Sequence, residues 1–417
     1  MLPYHVTMVL CSNGERLPTL IKRETGVPDF DATLWVVSAL RKSNLASSTI
    51  EQALRSVSIL YTLLSSRGIL LSERAKSGKF LSASEVDLII DATYRRVSLL
   101  VSTEKTRALP YSHINMERLR AKNKSSQQNT VHPGTAAIRL FYIGKFLSWR
   151  FEKEIAKAKA SLKSDLQELK ELIERKIQKS TPHLSKSSTL NDRLGLTPEQ
   201  LLELDSIVQP ESPLNPWNLA FTRPRNHLIT QIISKLGIRR SELLGLRVED
   251  FSPRNLEILI HRRPDDIEDP RLREPNSKTN GRGLKIDRET AQLITKYLPL
   301  RHKIVKGRHS FLIVSNSGTP LSTSELNRIF TDIRKATTLE TICPHTLRHT
   351  YFEILARDMY QAGFSENEMM RILRRIGGWS DTSQTPRRYI KRFIQEQAAE
   401  ASLSIQSKIF GTEESQK

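Results

Sequence analysis

His345 and Arg348 stand three residues apart in the run C-P-H-T-L-R-H-T. Pro344 suits a first helical position, so a helix opens there and sets a proton carrier and a planar cation on one face. The natural ligand of that face is a phosphate. Arg239, in G-I-R-R-S-E-L-L-G-L, stands where one helix ends at Gly237 and the next begins, so its guanidinium adds to the anion-attracting N–H groups of a helix start. Arginine fits this task because its fork is always charged and binds two phosphate oxygens at once. Glu242, three residues on, is placed to orient an arginine. Tyr389 follows Thr385-Pro386, an N-cap and a first-position proline, which puts its hydroxyl about one turn into a short helix near positive helix-end potential. Together these groups suit attack on a phosphodiester. Two arginines, Arg239 and Arg348, neutralise charge on the non-bridging oxygens. A phenol titrates near pH 10, so attack by Tyr389 needs a base or a cationic field, and His345 supplies either. Each residue alone also has an ordinary reading, as a surface helix face, a surface arginine pair or a half-buried tyrosine.

The wording H-x-x-R, then G-G-W, then a tyrosine about ten residues on resembles the tyrosine recombinases, or phage integrase family. A second stretch, Gly237–Leu246, resembles that family's first arginine motif, G-[LI]-R-x-S-E-L-x-x-L, over its whole length. The resemblance covers residues 195–395 by motif. It implies site-specific cleavage and rejoining of duplex DNA through a 3′-phosphotyrosyl intermediate, for integration or excision of a mobile element. By the same resemblance the catalytic set is Arg239, Lys278, His345, Arg348, Trp379 and Tyr389, with Tyr389 the nucleophile and Glu242 supporting an arginine. Lys278, in S-K-T-N-G-R-G-L-K-I, is the general acid for the leaving 5′ oxygen, with Lys285 its alternative. Trp379 packs beside the tyrosine and offers its indole N–H to phosphate. No metal or nucleotide cofactor is implied. The implied partners are double-stranded DNA, further copies of the chain (a dimer per site, a tetramer in the synapse) and an accessory directionality factor. Two other readings share the chemistry or the fold: a type IB topoisomerase and a non-catalytic DNA-binding protein.

The elements that position these residues fall in two parts. Residues 1–180 read as a helical domain: an irregular arm over 1–30 with one short strand at most, then amphipathic helices. Leu34, Val37 and Leu40 share a face; Ser48 with Glu51 and Ser82 with Glu85 form capping boxes, the latter opening a helix through Leu100. A basic loop follows over 102–131, then one long helix from Ala136 to Lys179 whose charged second half projects. Residues 181–194 read as a linker. The catalytic domain, 195–395, opens with the box Thr197-Pro198-Glu199-Gln200. It carries helices around a small antiparallel sheet, with strands at Leu256–Ile260 and Leu284–Ile286, a polar excursion Arg262–Asn276 between them, and a further strand Phe311–Val314. Leu347, Phe352, Ile354 and Leu355 supply the stripe that holds the His345 helix. Beyond Tyr389 a helix pattern runs from Lys391 to Phe410, and the tail, 396–417, is by the resemblance a protomer docking segment. The expected fold class is mainly α with a small antiparallel sheet (α+β), and by resemblance the N-terminal part is a core-binding domain that closes a C-shaped clamp on DNA.

Composition agrees with a polyanionic partner. The 417 residues carry 65 Lys and Arg against 45 Asp and Glu, a formal charge of +20. Ribosomal, membrane-surface and heparin-binding proteins share such a bias. Cys11 and Cys343 are too few for a disulfide framework or a structural zinc site. No window approaches the roughly 20 apolar residues of a membrane span, and no secretory signal is legible, so the expected setting is the cytoplasm, at the nucleoid.

Overall fold

The structure, a computed structural model, describes residues 2–76, 80–100, 129–183, 195–276 and 280–410. It divides into two compact units, Met1–Lys186 and Ser187–Lys417. Both are mainly helical with small antiparallel sheets, which agrees with the mainly α fold class expected, although a sheet was expected only in the second. Among the described residues, no helix is long and apolar enough to cross a membrane.

The first unit opens with a hairpin where the sequence predicts an irregular arm. Strand β1 (Tyr4–Leu10) pairs antiparallel with β2 (Arg16–Lys22), Tyr4 opposite Lys22 and Leu10 opposite Arg16. Gly14, at φ 88°, makes the turn, and Pro18 is tolerated because a two-stranded ribbon has only edges. Helix α1 (Phe30–Trp35) is capped by Asp29, whose Oδ1 accepts from Ala32 N at 2.8 Å, and runs on as a π-helix over Val36–Arg41. Helix α2 (Ser47–Ser66) starts from Ala46 without a side-chain cap. The box expected at Ser48 does not form, and Glu51 instead pairs with Arg55 at 2.7 Å one turn on. After α3 (Leu71–Lys76), α4 (Ala83–Tyr94) does open with the Ser82–Glu85 box. It stops short of Leu100 because Arg95 is extended, and Val97–Leu100 forms a separate turn, α5.

The long helix expected over Ala136–Lys179 is two, α6 (Pro133–Lys157) and α7 (Ala160–Ser180), broken where Ala158 and Lys159 are extended. The charged half therefore does not project. Helix α7 buries Leu166, Ile173 and Ile177, the last against Gly144 of α6, where a Cβ would sit 3.4 Å from it. The core gathers Trp35, Phe146, Leu54 and Phe151, with the Trp35 and Phe146 rings edge to face at 5.2 Å. Nearly all of the basic loop (102–131) and most of the 181–194 linker lie outside the described residues.

The second unit starts with α8 (Pro198–Val208), opened by the expected box: Gln200 N donates to Thr197 Oγ1 at 3.3 Å and Thr197 N to Gln200 Oε1 at 3.0 Å. Helix α9 (Thr222–Leu236) ends at Gly237, and α10 (Arg240–Gly245) follows. A three-stranded antiparallel sheet comes next, in the order β3 (Phe251–Ser252), β4 (Glu257–Ile260), β5 (Arg282–Lys285). Ile258 faces Leu284 and Ile260 faces Arg282, while Leu256, at φ 47°, turns the chain before the strand rather than joining it. The Arg262–Asn276 excursion is pinned down. Arg271 donates to Leu244 O (3.1 Å) and Leu321 O (2.8 Å), pairs with Asp269, and lies 4.7 Å over the Phe311 ring.

Helix α11 (Arg288–Val305) leads to Phe311–Val314, a buried stretch with isolated bridges to Arg247 and Pro320 instead of the expected strand. Helices α12 (Thr323–Ala336), α13 (Pro344–Gln361), α14 (Glu366–Gly377) and α15 (Arg387–Phe410) complete the unit. Its core packs Ile229, Ile232 and Ile233 of α9 with Ile294, Leu326 and Leu347. Helix α15 is not short: the tyrosine's helix and the expected tail helix are one.

Replacing Thr197 by Ala removes a formed cap and is expected to lower the urea midpoint by an amount equivalent to about 1 kcal/mol, with unchanged m. Ser48→Ala, at an exposed position that caps nothing, should stay within about 0.5 kcal/mol of the parent.

Candidate active site

Two consecutive glycines close α14, and each has its own reason. A Cβ on Gly377 would lie 1.9 Å from Trp379 Cζ3, so the indole rests directly on that backbone. Gly378 takes φ 65°, the left-handed conformation that ends a helix. The last carbonyls of a helix lack internal partners and carry its negative end. Here arginines from three other elements take them. Arg282 Nε donates to Ile376 O at 2.6 Å, Arg239 Nη1 to Gly377 O at 2.7 Å, and Arg348 Nη2 to the same Gly377 O at 3.1 Å. The other arm of Arg348 donates to Gly237 O at 2.5 Å. Gly237 is at φ 57°, and a Cβ there would lie 2.3 Å from the Tyr351 ring, so the turn that separates α9 from α10 also seats Arg348. Both guanidinium groups lie over the Trp379 ring, at 5.3 Å for Arg239 and 4.6 Å for Arg348.

Glu242 bonds two arginines, and its bidentate partner is one that sequence reasoning missed. Its buried carboxylate takes Arg282 Nη1 and Nη2 at 3.0 and 2.9 Å, the Arg239 N–H at 2.8 Å, and Arg239 Nη1 at 3.4 Å. The N–H at this helix start is thus already bonded. The signal for Arg282 was available: in R-G-L-K the inward positions are Arg282 and Leu284, and an inward-facing arginine requires a partner. Three guanidinium groups, of Arg239, Arg282 and Arg348, gather around this one carboxylate. Burial, then the neighbouring Arg239, pull Arg348 down to about 9, which leaves it protonated at neutral pH. Burial also holds Arg239 below the usual arginine range. Its side chain keeps 29% of its surface in solvent, so an incoming anion can reach it.

Tyr389 sits in the first turn of α15, only 4% exposed. Its ring stacks on Phe352 (5.5 Å between centroids) and tilts against His349 (5.6 Å) and Trp379 (6.3 Å). Burial pushes the phenol above the usual tyrosine range, while Arg388, Arg348 and Arg239 pull it down. His345 is exposed and meets the cluster through His349, Nε2 to Nε2 at 2.9 Å. His349 is the second residue that sequence reasoning missed, although H-T-L-R-H places it one turn from His345 on the same helix face. Ile354, expected in the buried stripe with Leu347 and Phe352, is exposed. Lys278 lies outside the described residues. Lys285, its alternative, is on the opposite face of β5 from Arg282, with Nζ 3.2 Å from Asn255 O and 3.6 Å from Glu257. It does not join the arginines.

Removing one partner of the buried pair strands the other's charge. Glu242→Ala is expected to cost about 3–5 kcal/mol in urea unfolding. Adding Arg282→Met should recover part of that loss, measurable as coupling in a double-mutant cycle.

Residues 196–396 match the sequence profile of the phage integrase family. The chain is 28% identical over 176 residues to tyrosine recombinase XerC of Thermodesulfovibrio yellowstonii, covering 40% of this chain and 50% of that protein. It is 27% identical over 128 residues to the XerC of Staphylococcus carnosus, covering 30% and 38%. These matches thus span half or less of the length of the curated relatives. Among solved structures, XerH site-specific recombinase bound to its difH substrate aligns at 17% identity and a TM-score of 0.44, covering 89% of this chain and 96% of that one. The family match runs from the start of α8 into α15 and contains Arg239, Glu242, Arg282, His345, Arg348, Trp379 and Tyr389. Residues 196–396 of this chain therefore belong to the phage integrase family.

Proposed function

We infer that the chain is a tyrosine-type site-specific recombinase that cuts and rejoins duplex DNA of a mobile element. The observation that carries this reading is the sharing of one carbonyl, Gly377 O, by Arg239 and Arg348, whose guanidinium groups lie over the Trp379 ring that packs on Tyr389. Two cations held against one acceptor leave donors for a tetrahedral anion, and a backbone phosphate has the matching charge and oxygens.

In the proposed step the Tyr389 oxygen attacks phosphorus as its proton passes to His345 or solvent. The bond from phosphorus to the 5′ oxygen breaks, and that oxygen takes a proton from Lys278. Arg239 and Arg348 stabilise the charge that builds on the non-bridging oxygens, a contribution commonly of a few kcal/mol per donor. The Trp379 indole braces both arginines and offers its N–H to phosphate. The 3′-phosphotyrosyl bond keeps the energy of the phosphodiester, so a 5′ hydroxyl reverses the step without nucleotide hydrolysis. The proposed partners are duplex DNA, further copies of the chain on each site and an accessory directionality factor. The proposed setting is the cytoplasm.

The test is covalent capture. Nicked duplex fragments drawn from the DNA flanking the gene should yield an SDS-stable adduct with the wild-type chain and none with Tyr389→Phe. An adduct that persists in that variant, or a wild-type chain that captures no fragment, overturns the reading.

A further inference from the structure

Arg388 directly precedes Tyr389, and the step just described assigns it no part. Its Nη2 lies 3.2 Å from Nδ1 and 3.1 Å from Nε2 of His349, and its guanidinium carbon lies 5.3 Å from the centre of the Tyr389 ring. His349 Nε2 is in turn 2.9 Å from His345 Nε2. A guanidinium has only donors, so the histidine nitrogen that meets it accepts. The side chains of α13, which carries His345 and Arg348, and α15, which carries Tyr389, are bonded to one another at this point.

We propose that Arg388 is a positioning residue for strand cleavage: its bond to His349 fixes the tyrosine's helix against the helix of His345 and Arg348, and fixes which nitrogen of His345 carries the hydrogen. Arg388 Nη2 reaches both nitrogens of His349, and because Nε2 is also in contact with His345, both bonds are made together when Nδ1 accepts from Arg388 and Nε2, carrying the ring hydrogen, donates to His345 Nε2. The His345 hydrogen then sits on Nδ1. In an imidazole the bond made at one nitrogen sets the role of the other, and here that rule runs through two rings in series. The inference rests on Tyr389 being the nucleophile.

The same contact bears on pH. The charged and titratable groups that face the phenol are Arg239 before α10, Arg348, His349 and Glu353 on α13, and Arg388 on its own helix, with His345 one ring further out. Arg388 is the foremost of the cations that offset its burial. Without Arg388 the phenol titrates higher, and the acid limb of cleavage moves to higher pH.

Three variants separate the parts. R388K keeps charge and donors, R388Q keeps a donor without charge, and R388M keeps neither. On the flanking-DNA duplex that the wild-type chain captures, R388M should lower the capture rate about 10- to 100-fold, the scale of a misplaced reacting group, and shift the acid limb upward. R388Q should fall between R388M and R388K, with R388K nearest the wild type. Nitrogen-15 spectra of the histidines, taken without DNA, should show His345 with its hydrogen on Nδ1 in the wild type and a mixture of tautomers in R388M. Wild-type rate and profile in R388M overturn the proposal, as does an unchanged His345 tautomer. So do equal losses in all three variants accompanied by a lower melting temperature, which would mark Arg388 as merely structural. A wild-type chain that captures no duplex sinks the recombinase reading as well, whereas any outcome among the variants of a capturing wild type bears on Arg388 alone.

Discussion

The candidate site depends on how α14 ends. A helix terminus leaves carbonyls without partners, and a buried terminus must find donors elsewhere. Here two of those donors, Arg239 and Arg348, are the arginines of the proposed step, and the third, Arg282, is the bidentate partner of Glu242. Arg239 arrives from the α9–α10 junction, Arg348 from α13 and Arg282 from β5, and the carbonyls of Ile376 and Gly377 hold all three. The structural demand of the helix end and the electrostatic demand of the proposed phosphate site fall on the same two side chains, Arg239 and Arg348. Neither could be relaxed without disturbing the other.

Gathering cations in this way opposes stability. Arg348 and Arg282 are almost fully buried, and Arg239 lies beside them. One carboxylate, Glu242, compensates directly; carbonyl oxygens and the face of Trp379 supply the rest. Such a cluster is preorganised for an anion because it is not neutral without one, and burial makes each donor worth more than it would be in water. Burial and the neighbouring Arg239 pull Arg348 below the usual arginine range, which is the same tension seen from the side of the protein.

Much of this was legible in the sequence, for physical reasons that can be named. Capping boxes at Ser82 and Thr197 are local, involving residues three apart, and both formed. The two glycines before Trp379 and the glycine before Arg239 mark positions where backbone geometry forbids a side chain, and such marks survive any tertiary context. What the sequence concealed was set at long range. The hairpin Tyr4–Lys22 reads as broken because Gly14 and Pro18 punctuate it, yet packing against α2 makes one the turn and the other an edge residue. The break at Ala158–Lys159 has no glycine or proline to announce it; it exists because α7 buries Leu166, Ile173 and Ile177 by turning back. Ser48 and Glu51 had the right letters for a cap, but α2 begins before Ser48. The partnership of Arg282 with Glu242 joins residues 40 apart in the chain and is visible only once β5 is placed.

The continuity of α15 carries a mechanical consequence. From Arg387 to Phe410 the helix contains neither glycine nor proline, so it has no built-in hinge over its 24 residues, a rod of about 36 Å. The phenol sits at one end, while Leu403 and Ile405 stand exposed toward the other. Torque applied at the distal end is delivered to the hydroxyl as rotation or translation rather than dissipated along the way, so the position of the Tyr389 hydroxyl is set partly by whatever grips a surface many turns away.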